Sequence, residues 1–376
     1  MNFDKFGYYV ANNYKTYSKV EAIEVAKNID RVNWVFNDAE FSLHNWLIEP
    51  SGDINSFYDN RAKQIRNDYD YVVLFYSGGY DSHNILKTFI DNNLHIDEII
   101  TNIPALNIES TPSIEYNLFT KKLLEKYKSK LPHTKIRLIE HRDTLLGVLD
   151  DETDLLYKLN HRFTVNHLVK NTFKTSIEDH KKNIEKGKKV VYLFGIDKPA
   201  IRFSNGKYFS VFNDREVANV VLPSIQRDEN SEVNYEFFYW SPDCVELLIK
   251  QAHIMKMYWR LKYRLKNLNA KFINFEINDT MANLFTYPRC IDDSDVGYFN
   301  EKSYREVYRA INLSKNIHDI MGIGGRDSWI HDLNHGLVSK TYSSARYLQQ
   351  KFPNAFIDGD ITKPLKTLTT HYCLGE

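Results

Sequence analysis

The sequence predicts an α/β protein, a doubly wound parallel sheet with a mainly helical C-terminal part. Three observations carry that expectation. Tyr71–Tyr76 (YVVLFY) is a near-continuous run of β-branched and aromatic residues, the pattern of a parallel strand covered on both faces. Runs of similar character at His95–Asn102, Thr134–Glu140 and Lys188–Phe194 alternate with segments at helical spacing. After Ser241-Pro242-Asp243, a helix start with Ser as N-cap and Pro in the first turn, the long helical pattern CVELLIKQAHIMKMYWRLKYRLK opens the C-terminal third.

The elements follow in chain order. Ser18–Ile29 reads as a helix with Ser18 as N-cap and Glu21 completing a capping box. Asn33–Phe36 reads as a short strand and Asp53–Tyr69 as a helix. The Tyr71–Tyr76 strand leads into Ser77-Gly78-Gly79-Tyr80-Asp81-Ser82, after which Ile85, Leu86, Phe89 and Ile90 recur at helical spacing. Pro112–Tyr127 is a further helix, and 142–187 reads as two or three helices with an acidic knot at Asp150, Asp151, Glu152 and Asp154. Ala200–Asn213 is a β-hairpin turning at Asn205-Gly206. Residues 226–234 read as a polar loop, and Tyr235–Trp240 as an aromatic strand. In the long helix, Val245, Leu248, Ala252, Met255 and Trp259 form the expected core stripe. Tyr287-Pro288-Arg289-Cys290 punctuates a loop whose Arg289 suits a carboxylate or phosphate. Gly324–Ser328 (GGRDS) echoes the earlier glycine loop but follows no strand pattern, and the tail TLTTHYCLGE reads as a strand packing back.

Composition narrows the classes. Lys+Arg and Asp+Glu both number 49, so the formal net charge is zero and extensive non-specific nucleic-acid binding is not expected. Three widely spaced cysteines, Cys244, Cys290 and Cys373, form no C-x-x-C pair, which argues against a zinc ribbon or an iron–sulfur site and fits a reducing compartment. No run of 18 apolar residues and no apolar leader core occurs. A cytoplasmic protein without membrane association is the expectation.

The loop after Tyr76 carries the chemistry. Two glycines let the backbone turn tightly and approach a ligand closely. The helix that follows offers unpaired N–H groups and a positive dipole end, which suit a phosphate or pyrophosphate. Ser77 and Ser82 add hydroxyls, and Asp81 is a carboxylate of the kind that binds Mg²⁺ beside phosphate oxygens. The same residues also fit a plain strand–turn–helix joint capped by Ser and Asp. At average residue usage, S-G-G-x-D-S arises by chance at ~10⁻³ over a chain of this length.

This motif resembles the PP-loop of the N-type ATP pyrophosphatase superfamily, which includes asparagine synthetase, NAD synthetase, GMP synthetase and the PP-loop tRNA-modifying enzymes. It is not a Walker A loop, because no Gly-Lys-Ser/Thr follows the glycines. The resemblance implies an adenine nucleotide alpha hydrolase-like (HUP-type) sheet. It also implies that Ser77, Gly78, Gly79, Asp81 and Ser82 hold the pyrophosphate of ATP, with Mg²⁺ at Asp81. Gly195 and Asp197, after the Lys188–Phe194 strand, match the Gly-x-Asp core of the second loop of asparagine synthetase, implying nucleotide contact at Gly195 and Mg²⁺ at Asp197, although the rest of that loop differs. Lys198 is placed to neutralise the leaving pyrophosphate, and by the same resemblance the backbone at Ile103 contacts adenine.

The whole resembles the synthetase half of asparagine synthetase, of the stand-alone phage or bacterial type. Residue 2 is Asn and no Cys precedes Cys244, so an N-terminal-Cys glutaminase is not expected. The expected division is an N-terminal extension over 1–64, a PP-loop domain over 65–240 and a helical region over 241–376. The expected reaction is adenylation of a carboxylate or amide oxygen of a small-molecule substrate with release of pyrophosphate, followed by attack of ammonia or an amine. Ammonia would be free or delivered by a partner. The alternatives are a PP-loop tRNA- or nucleobase-modifying enzyme and a non-catalytic ATP-binding protein.

Overall fold

The computed structural model describes residues 3–103, 116, 120–140, 178–196, 198–214, 233–267, 279–293, 350–351, 353–355 and 367–376. The acidic knot at 150–154, most of the polar loop at 226–234 and the GGRDS segment lie outside the described residues.

The chain begins with a small antiparallel sheet, of which the sequence pattern announced one strand, read at Asn33–Phe36 and found at Val32–Val35. Strands β1 (Tyr8–Ala11) and β2 (Tyr14–Thr16) turn through Asn12 and Asn13 at φ 49° and 66°, a left-handed geometry that asparagine tolerates better than most residues. After α1 (Lys19–Ala26), β3 (Val32–Val35) pairs with β1, giving the order β2-β1-β3. Ser18 Oγ accepts the Glu21 N–H at 3.3 Å as expected. The reciprocal half of the box is not formed, because the Glu21 carboxylate takes hydroxyls from Tyr14, at 2.6 Å, and from Thr16.

A single-turn α2 (Asp38–Phe41) and the long α3 (Ile54–Asp68), capped by Asp53, lead into the main sheet. That sheet has five strands, all parallel: β4 (Tyr71–Phe75), β5 (Glu98–Ile103), β6 (Lys135–Glu140), β7 (Val190–Phe194) and β10 (Asn234–Phe237). The connecting helices include α4 (Tyr80–Asp91), α5 (Lys121–Tyr127) and α6 (Glu178–Glu185), so the molecule is α/β. Spatial order is β10-β7-β4-β5-β6. From β4 the chain steps outward to β5 and β6, then returns to lay β7 on the other side of β4. Every residue of β7 from Val190 to Leu193 is fully buried, and so are Val72, Val73 and Leu74 of β4, which is why both strands read as unbroken apolar runs.

The hairpin of β8 (Ala200–Ser204) and β9 (Lys207–Val211) turns at Asn205 and Gly206, with φ 49° and 75°. The final strand, β11 (Tyr372–Gly375), pairs antiparallel with β9, so the tail does pack back as a strand. β10 is shorter than the aromatic run predicts: it ends at Phe237, and Phe238–Trp240 leave the sheet fully buried. The long helix α7 (Val245–Asn267) follows a short 3-10 turn at Pro242–Cys244, and Ser241 Oγ accepts the Asp243 N–H at 3.3 Å. Val245, Leu248, Ala252 and Met255 are buried as expected, but Trp259 is 38% exposed. Tyr258, three residues after Met255, is buried there instead and packs against Ala282 of α8 (Asp279–Thr286). Helical geometry allows either i+3 or i+4 to continue a stripe, and only the position of the neighbouring helix selects between them. One continuous hydrophobic cluster runs from Phe6 to Leu374.

Candidate nucleotide site at the end of strands β4 and β7

The order of the parallel sheet reverses between β4 and β7. Crevices at the carboxyl ends of such strands are where open α/β sheets bind ligands. Both glycine-bearing segments singled out in the sequence emerge there: Ser77–Gly79 follows β4, and Gly195 follows β7, whose Phe194 is in register with Phe75.

The loop after β4 is built around one backbone demand. Gly78 has φ +77°, which disfavours any side chain. A Cβ there would also lie 2.8 Å from Thr120 Oγ1 and 3.1 Å from Thr120 Cα. Thr120 in turn donates from Oγ1 to the Ser77 carbonyl at 2.7 Å, pinning the loop from outside. Gly79 is the N-cap of α4 and supplies no side-chain cap to it. The serines brace the turn: the Ser77 N–H reaches Ser82 Oγ at 3.2 Å, the Gly79 N–H reaches Ser77 Oγ at 3.3 Å, and Ser82 Oγ donates to the Gly79 carbonyl at 3.2 Å.

Gly195 is brought against the same helix end. A Cβ on it would lie 3.0 Å from both the Asp81 carbonyl carbon and the Ser82 nitrogen. The second loop therefore approaches α4 so closely that a side chain at this position would push the helix end or the loop aside by a few tenths of an ångström. Ile103 ends β5, the strand beside β4, and pairs with Glu140 on β6, so it belongs to the same edge of the sheet. Asp197 lies outside the described residues.

Asp81 is half-buried. Its backbone carbonyl accepts the Tyr239 hydroxyl at 2.8 Å, and its Oδ1 accepts the Tyr287 hydroxyl at 2.5 Å. Lys198 Nζ lies 5.9 Å from the centroid of the Tyr287 ring, within cation–π range. Tyr287 thus joins Asp81 and Lys198 in one cluster. Sequence reasoning missed Tyr239 and Tyr287, and also Thr120. The aromatic run 235–240 and the Tyr287-Pro288 punctuation were visible, but nothing in them points to Asp81.

A second polar cluster supports α4 from behind. His83 is fully buried and bonds through Nδ1 to the Tyr76 hydroxyl at 2.9 Å and through Nε2 to Asp293 Oδ2 at 2.8 Å. Burial lowers the pKa of His83, which assigns a neutral ring that donates from Nε2 to Asp293 and accepts from Tyr76. Asp293 also takes the Tyr127 hydroxyl at 2.6 Å and the Lys126 ammonium. Burial would raise its pKa, but the bonds from His83, Lys126 and Tyr127 outweigh that and hold the carboxyl well below the usual range. Arg289, expected to meet a carboxylate or phosphate, pairs with Asp59 at 2.6 Å and Asp91 at 3.3 Å, and so braces α3 and α4.

The described arrangement fits an anion with a cation beside it. The start of α4, whose N-cap Gly79 has no side chain, offers backbone N–H groups; Gly195 lets the second loop close on that helix end; and Asp81 stands in the first turn. Among the described residues no three His, Cys, Asp or Glu side chains gather to hold a metal. Mg²⁺ asks for only one or two carboxylates when phosphates complete its shell, so Asp81 suits it. Among the described residues no helix is long and apolar enough to cross a membrane.

Compared with known proteins, the chain matches no family model and no curated sequence.

Proposed function

We propose that this protein is an ATP-dependent, AMP-forming ligase of the PP-loop type, built on a doubly wound sheet. One observation carries the reading: the S-G-G-Y-D-S loop and the Gly195 loop, far apart in sequence, meet at the α4 N-terminus, with Gly195 in near-contact with Asp81 and Ser82. In this reading the N–H groups at the start of α4 and the Ser77 and Ser82 hydroxyls receive the β,γ-pyrophosphate of ATP. Lys198 neutralises the charge that grows on it as it leaves. Asp81, with Asp197, holds Mg²⁺, which would offset phosphate charge when bound. The backbone at Ile103 faces adenine.

A carboxylate or amide oxygen of a small-molecule substrate forms a bond to the α-phosphorus, and the bond from that phosphorus to the bridging oxygen breaks, releasing pyrophosphate. Ammonia or an amine then attacks the activated carbon, the carbon–oxygen bond to AMP breaks, and a proton passes to solvent. Positioning and charge stabilisation suffice for both steps, and no Ser-His-Asp set is invoked.

The test is release of pyrophosphate and AMP from ATP and Mg²⁺ with a panel of amino acids, ammonia and bulk tRNA. Acceptor-dependent pyrophosphate is expected, and Asp81→Ala is expected to abolish it without unfolding the chain. ADP and phosphate as products would refute the reading, and full activity in Asp81→Ala would refute the metal role.

A further inference from the structure

Asp81 is the residue on which the proposed site depends, and the structure shows what fixes its side chain. Tyr287 is fully buried and lies immediately after α8, more than two hundred residues from the loop it serves. Its ring packs against Tyr239 at 5.5 Å and Tyr58 at 6.2 Å between centroids. Its backbone is tied to α8 by the Tyr287 N–H to the Asn283 carbonyl at 2.7 Å, and the hydroxyl of Tyr58 donates to the Thr286 carbonyl next to it at 2.6 Å. A tyrosine held this firmly presents its hydroxyl at a fixed point, and that point is Asp81 Oδ1. An ionised carboxylate offers about four lone-pair sites over two oxygens. The bond from Tyr287 takes one of these sites and fixes the orientation of the carboxylate.

We propose that Tyr287 is a positioning residue for the metal-binding carboxylate: its hydroxyl holds Asp81 in the orientation that receives Mg²⁺ with the nucleotide, so the segment after α8 completes the site begun by the loop after β4. This rests on the reading of that loop as a Mg²⁺–ATP site. The nearby His83–Asp293 cluster ties the side chain of His83 on α4 to Tyr76 and, through Asp293, to Tyr127. Tyr287 touches that carboxylate directly from the C-terminal side of the chain.

The experiment is calorimetric titration of the full chain with ATP, with and without Mg²⁺, for wild type, Tyr287→Phe, Asp81→Asn, the double variant and Tyr58→Phe. Each is run at a temperature where its melting curve shows it folded. Tyr287→Phe keeps the ring and removes only the donor. Losing one bond to a charged group predicts a roughly tenfold weakening of ATP binding in Mg²⁺, with Mg²⁺-free binding unchanged. Tyr58→Phe, which loosens the same aromatic cluster without touching Asp81, is expected to keep the wild-type Mg²⁺ dependence. In the Asp81→Asn background, Tyr287→Phe is expected to add nothing, since the two act through one contact. Equal weakening with and without Mg²⁺ would mean a structural role only and would overturn the proposal. Tighter binding in Mg²⁺ would mean that the hydroxyl competes with the cation, which overturns it too. Wild type that gains no ATP affinity from Mg²⁺ would remove the loop reading itself, and this inference with it.

Discussion

Two glycines with nearly the same backbone angle allow the loop's geometry to be tested cleanly. Gly78 and Gly206 have φ of 77° and 75°. An alanine at either pays the left-handed penalty of about 1–2 kcal/mol. Nothing lies within 4 Å of the Cβ position at Gly206, whereas at Gly78 that Cβ meets Thr120 Oγ1 at 2.8 Å and Thr120 backbone atoms at 3.1 and 3.3 Å. Relieving the clash moves Thr120 off the Ser77 carbonyl, which it reaches at 2.7 Å. Losing that bond and crowding a packed position together add about 1–3 kcal/mol. Gly206→Ala is thus expected to cost about 1–2 kcal/mol and Gly78→Ala about 2–5 kcal/mol. Urea denaturation of the two variants reads the difference directly, and ATP titration is expected to show binding lost in Gly78→Ala and kept in Gly206→Ala. Equal destabilisation would refute the claim that Thr120 closes on the loop. Unimpaired ATP binding by folded Gly78→Ala would refute the assignment of this loop to nucleotide binding.

Two further outcomes follow from buried charge. Lys19 pairs with Asp214 at 2.8 Å, with side chains 2% and 0% exposed, and Tyr9 also donates to Asp214 at 2.9 Å. Asp214→Ala is expected to cost about 3–5 kcal/mol, because it leaves an ammonium buried, and Lys19→Met/Asp214→Leu to recover much of that loss; denaturant melts within ~1 kcal/mol of wild type for the single variant would count against it. At the opposite end of the sheet, burial would raise the Glu98 pKa, but bonds from His180 and Arg137 outweigh it and bring the carboxyl to about 2. A depressed carboxylate adds stability that is fully present above the ordinary value of 4.5 and is lost as pH falls through about 2. Glu98→Gln is therefore expected to cost about 1–3 kcal/mol at neutral pH, with the gap to wild type closing between pH 4.5 and 2 in acid-unfolding curves; a gap that stays constant over that window would show that the charge is not what matters.

Much of the α/β layer was legible in the residues because burial on both faces leaves a one-dimensional record. Val72–Leu74 and Val190–Leu193 are apolar at consecutive positions since each face of those strands meets packing. The turn at Asn205-Gly206 was legible for a similar local reason: two successive left-handed residues select asparagine and glycine. The comparable turn at Asn12-Asn13 was passed over, because its flanking strands are three and four residues long and carry too short an alternation to register. The exposure of Trp259 was decided by where α8 lies, which the helical period of α7 does not encode.

What the sequence determined by itself is the loop: a strand, two glycines, a serine–aspartate pair and a helix are contiguous, and their joint conformation follows from local backbone freedom. What only the tertiary structure decided is the company that loop keeps. Gly195 closing on Asp81, Thr120 closing on Gly78 and Tyr287 reaching the Asp81 carboxylate each join residues tens to hundreds of positions apart. Such contacts arise from the strand order β10-β7-β4-β5-β6 and from the path of the chain after α8. Packing fixes both, and packing is a property of the assembled core that no single stretch of residues carries.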